Sequence, residues 1–69
     1  MDNTIIWLKD NGMIISCTEK IKVMQQNLEE FRMMAQDLLE DALLMEIQET
    51  QVKEELHKII ATLHNPYKK

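Results

Sequence analysis

The chain has one cysteine, one glycine, one proline and three aromatic residues in 69 positions, and each scarcity removes an architecture. A lone Cys17 excludes an internal disulfide, and no Cys/His cluster has the spacing of a zinc site. A chain this short buries too small a share of its surface to be comfortably stable alone. With disulfide and metal excluded, a partner subunit is the remaining support. A single Gly and a single Pro leave long stretches uninterrupted, and an apolar content of 45% is too high for a disordered chain. No apolar run approaches the roughly 20 residues that cross a bilayer. The start "MDNTIIWLK" lacks the basic and long apolar regions of a secretion signal. The expectation is a cytoplasmic protein with no membrane partner, where a lone thiol stays reduced.

Cations are also short, and unevenly so. Eight Lys and Arg stand against 12 Asp and Glu, a net charge of −4. Between residues 37 and 55, Asp37, Glu40, Asp41, Glu46, Glu49, Glu54 and Glu55 face only Lys53. Such a surface repels phosphate, so no nucleic acid is expected as a direct partner. The acidic band reads first as a solvated helix face and otherwise as a docking site for a basic partner.

What is present begins with two short greasy runs, Ile5-Ile6-Trp7-Leu8 and Met13-Ile14-Ile15, rich in residues that suit strands. Between them, Asn11-Gly12 supplies residues that tolerate positive φ, a strong hairpin signal. The reading is a β-hairpin over 4–16, with strands 4–9 and 12–16. Its rival is a short helix capped by Asn3 or Thr4 and ended by Gly12. Both faces of the ribbon carry apolar side chains, and an isolated hairpin is marginal in water, so it should lie on helices or on a second copy.

Ser16-Cys17-Thr18-Glu19 fits a capping box, in which the Ser hydroxyl and the Glu carboxylate cap each other's backbone amides. From there apolar residues follow heptad spacing. Ile21, Leu28, Ala35 and Ala42 take the a positions; Cys17, Met24, Phe31, Leu38 and Met45 take the d positions. The phase continues through Val52, Leu56, Ile59 and Leu63, with Glu49 at fault, until Asn65-Pro66 ends the helix. A continuous helix would dimerise as a coiled coil. Three polar residues after Ile47, and the staple spacing of Ile47 and Val52, favour instead two helices, 17–46 and 49–64, with a frayed tail over 65–69.

The whole of 1–69 is thus expected as a single small, mainly α domain: a hairpin, a long helix and a shorter antiparallel helix. The shorter helix cannot cover the whole apolar stripe of the longer one. The remainder, Ile21, Met24, Leu28, Phe31, Met34 and Leu38, is expected to form a dimer or partner interface. Leu38, Leu39, Leu43, Leu44, Met45 and Ile47 wrap more than one face, as in a helix with several neighbours. Both features point to a homodimer arranged as a four-helix bundle, with the ribbon as lid or dimer contact.

Candidate chemistry is thin. Glu54-x-x-His57 matches an element of di-iron bundles, but the heptad phase places both residues toward water, where a metal site cannot close. Cys17 at a helix start could be a reactive thiol; its d position makes it a small buried hydrophobe. Met33 and Met34 flank the seam and suit an adaptable interface. No phosphate loop, Ser/His/Asp set or paired inward carboxylates occur, so neither catalysis nor a cofactor or metal is expected. The function expected is a helical protein–protein interaction module: an adaptor, a regulator or a chaperone-like protein. The alternatives are a small DNA-binding regulator, with Lys9, Lys20 and Lys22 clustered on one dimer face, and a metal-binding helical-bundle enzyme using Glu54 and His57.

Overall fold

The computed structural model describes residues 5–68. Asn3, Thr4 and Lys69, on which parts of the expected cap, first strand and tail fall, lie outside them. Two helices dominate, α1 over Thr18–Leu44 and α2 over Glu49–Thr62. The chain divides into two compact units, Met1–Phe31 and Arg32–Lys69.

In the first unit the chain reverses once. Lys9 N donates to Met13 O at 2.8 Å, Gly12 N to Lys9 O at 2.9 Å and Ile15 N to Trp7 O at 2.8 Å. The strands expected over 4–9 and 12–16 reduce, among the described residues, to one antiparallel bridge between Leu8 and Ile14. The turn also differs in kind from an Asn-Gly pair with positive φ at both residues. Gly12 has φ +85° whereas Asn11 does not share the left-handed region. Asp10 and Asn11 therefore occupy the middle of an ordinary tight turn, and Gly12 follows it as the left-handed residue of a three-residue loop. The Asn11 side chain is used instead to accept the Met13 amide at 3.0 Å. Trp7, Ile15 and Ile21 are half-buried, and the rest of the unit's described residues are exposed. The rival short helix before Gly12 does not form in the described residues.

Helix α1 starts one residue later than the capping box requires. Ile21 N donates to Cys17 O at 3.1 Å, so Cys17 is the capping position, and neither Ser16 nor Glu19 makes the expected reciprocal bonds. Glu19 still lies in the first turn, where its charge suits the positive end of the helix dipole. Cys17 is a free, exposed thiol rather than a buried one, because the d stripe to which it belongs is not covered in this unit.

The second unit is a helical hairpin. Helix α1 ends at Leu44 rather than Glu46 through a pair of bonds that close its last carbonyls. Glu46 N donates to Leu43 O at 3.0 Å and Ile47 N to Ala42 O at 2.9 Å. This is the Schellman pattern, and it forces the residue after the cap into the left-handed region. That residue is Glu46, with φ 63°. A side chain there costs about 1–2 kcal/mol relative to glycine's freedom. Glu46→Gly is therefore expected to raise the stability of the hairpin by up to about 1 kcal/mol, after the glycine's larger unfolded-state entropy is subtracted. A thermal melt followed by circular dichroism checks it, and a lowered midpoint would refute the strain.

Helix α2 opens without a side-chain cap, from Gln48 in extended conformation. Ile47 and Val52 take the two positions of a hydrophobic staple, one before the cap and one at the fourth helical residue. Lys53 donates to Glu49 at 2.9 Å. That hydrogen bond first, and the ammonium charge second, hold the Glu49 carboxyl below its ordinary value of 4.5. The pair's contribution is present above that value and is lost as pH falls through the lower folded one; being exposed on both sides, it stays small. At the other end, Asn65 makes a turn. Its side-chain oxygen accepts the Tyr67 amide at 2.8 Å and its carbonyl the Lys68 amide at 3.4 Å, a turn around Pro66.

Burial follows one narrow stripe. Ala42 and Val52 are 5% and 7% exposed, and Ala35, Leu39 and Leu56 are half-buried. On α1 the spacing is i, i+4, i+7, so the covered face runs along Ala35, Leu39 and Ala42. The d residues Phe31, Leu38 and Met45 are exposed in the single chain. One neighbouring helix covers one stripe, and α2 takes the edge carrying the two alanines, where helices approach most closely.

Candidate apolar groove

The hairpin of the second unit carries an open groove of about 930 Å³. Its floor is Ala42, Val52 and Leu56, and its walls are Met34, Leu38, Met45, Ile47 and Ile59. Asp37, Asp41, Gln51 and Glu55 border it, and no Lys, Arg or His is among its lining residues. The floor comes from the buried stripe. Of the walls, Leu38, Met45 and Ile59 are d positions, whereas Met34 and Ile47 lie outside the a/d pattern.

Electrostatically the border is one-sided. Glu55 accepts from Lys58 at 2.9 Å. Asp37 and Asp41 make no ion pair among the described residues. They stand four residues apart on one helix, a like-charge spacing that costs about 0.2–0.5 kcal/mol. Asp41 also falls in the last turn of α1, which holds no basic residue. The negative end of the helix dipole disfavours a carboxylate there. Two acidic groups thus stand where each carries a small electrostatic cost in the free chain.

Of the six residues expected at an interface, Met34 and Leu38 line this groove. Ile21, Met24, Leu28 and Phe31 belong to the first unit, where Ile21 is half-buried and the other three are exposed. Sequence reasoning missed the groove's other walls as a set. The staple spacing of Ile47 and Val52, and three members of the acidic band, were the signals that could have joined them. Glu54 and His57 are both exposed, and no group of three or more potential metal ligands occurs among the described residues. Among those residues no helix is long and apolar enough to cross a membrane. In the first unit the Trp7 indole Nε1 is buried without a hydrogen-bond acceptor, an arrangement that costs about 1–3 kcal/mol.

The chain is thus a small two-helix α-helical protein. No known protein family, curated protein or solved structure matches it.

Proposed function

We propose that this protein is a helical protein–protein interaction module that works as a homodimer. One observation carries the reading: among the described residues twenty large apolar side chains are exposed, against two buried hydrophobic residues. A hydrophobic surface of that extent marks an association site rather than a solvated exterior. Self-association covers the stripe of Ile21, Met24, Leu28 and Phe31, with the turn around Gly12 as lid or dimer contact, in a four-helix bundle. Met34 and Leu38, in the groove, are left for a second protein.

Sedimentation equilibrium at micromolar concentration tests the first half of this reading. A mass above that of the 8.2 kDa chain is expected. A well-folded monomer at that mass would remove the homodimer.

A further inference from the structure

We propose that the groove of the second unit receives a basic amphipathic helix of a partner protein. The inference rests on the interaction reading above and names the chemistry of the partner. The walls run from Met34 to Met45 along α1, roughly 17 Å or three helical turns. A partner helix with apolar residues on one face at i, i+3, i+4 and i+7 fills a groove of that length. Docked there, it turns two layers of helix into a packed three-helix arrangement and covers Leu38 and Ile59, which stand exposed beside a buried floor. Met34 and Met45 supply flexible walls that adapt to the side chains presented.

Charge decides the occupant. Asp37, Asp41 and Glu55 border the apolar walls; Lys58 is paired with Glu55, while Asp37 and Asp41 make no ion pair among the described residues. A second copy mated groove to groove would set the same carboxylates against each other around a shared core, an arrangement that disfavours that pairing. A helix with Lys or Arg flanking its apolar face relieves both the i, i+4 repulsion of Asp37 and Asp41 and the unfavourable place of Asp41 at the end of α1. These two residues weaken the free chain and strengthen the complex, so binding recovers a cost that the free chain carries.

The test uses two fluorescein-labelled 14-residue helical peptides, one of Leu on one face and Lys elsewhere, the other with Glu in place of every Lys. In fluorescence anisotropy the Lys peptide is expected to bind, weakening as salt screens the border, and the Glu peptide is not. The doubly substituted Asp37→Asn, Asp41→Asn chain should bind about tenfold more weakly and melt no lower than the parent. Glu46→Gln with Glu54→Gln, the same change in net charge away from the border, should leave binding unaltered. Leu38→Ser should lose binding with helicity retained. Equal binding of the Glu peptide, or undiminished binding by the Asn variant, overturns the proposal. If the Lys peptide fails while Leu38→Asp disperses an oligomer seen by sedimentation, a second copy fills the groove. That overturns this inference and leaves the interaction reading standing. If neither peptide binding nor self-association is found, both fall.

Discussion

Val52→Asp should melt the helical hairpin of the second unit. Val52 is 7% exposed; with Ala42 and Leu56 it forms the floor on which α1 and α2 meet. Replacing it removes an apolar side chain worth about 1.5–3 kcal/mol of burial. It also places a carboxylate on a buried floor whose lining residues include no Lys, Arg or His. An unpaired buried charge costs about 3–5 kcal/mol. A domain of this size rarely has more than about 3–5 kcal/mol in hand. The sum exceeds the reserve. Helix α2 has 14 residues, near the length at which an isolated helix is marginal in water, so it should unwind once packing is lost. Far-UV circular dichroism should show a fall in helicity with Val52→Asp. With Glu54→Ala and His57→Ala the change should stay within about 0.5 kcal/mol, because both residues are exposed. A Val52→Asp chain with full helicity would mean that the core lies elsewhere. Unfolding by His57→Ala would reopen the metal-site reading.

The contrast between Val52 and His57 also shows which parts of the fold were legible. Two helices, their break near residue 47 and the staple of Ile47 on Val52 follow from spacing alone, because each depends on residues within about a turn of one another. The helix boundaries moved by one or two residues where local hydrogen bonds compete. Cys17 displaced Ser16 as the cap, and Glu46 was drawn into a left-handed position by the two bonds that end α1. The heptad was less informative about the inside. It marks an apolar surface wide enough for several neighbours, and a repeat of that width does not say which edge the chain's own second helix will take. The edge taken is the one with Ala35 and Ala42, flanked by Leu39, a residue outside the a/d pattern. Of the d residues, Leu38 and Met45 were then left as groove walls, and Phe31 stands exposed in the first unit. The strands failed for a related reason. Ile5 to Leu8 and Met13 to Ile15 have the right composition, but without polar–apolar alternation no single register is favoured. One bridge is what the turn itself enforces.

Phe31→Ala should lower the melting temperature by an amount that depends on protein concentration, whereas Leu38→Ala should lower it by the same amount at every concentration. In the single chain Phe31 is 52% exposed and Leu38 is 47% exposed. Truncating either there costs about 0.8–1.5 kcal/mol, roughly half of a full burial. In a homodimer that covers Ile21, Met24, Leu28 and Phe31, the exposed half of the Phe31 ring is desolvated as well. The cost then rises to the about 3–5 kcal/mol of a core Phe→Ala change. Because association stabilises the folded chain by mass action, the parent's midpoint should climb with concentration and that of Phe31→Ala should not. Leu38 lines the groove assigned to another protein, so its truncation should leave the slope of midpoint against concentration unchanged. Melts across a hundredfold range of concentration separate the cases. A flat parent would remove the dimer, and a slope lost with Leu38→Ala but kept with Phe31→Ala would move the self-contact into the groove. The second outcome would turn the partner surface into the dimer surface, so that the acidic border would have to be neutralised by the other copy's own lysines.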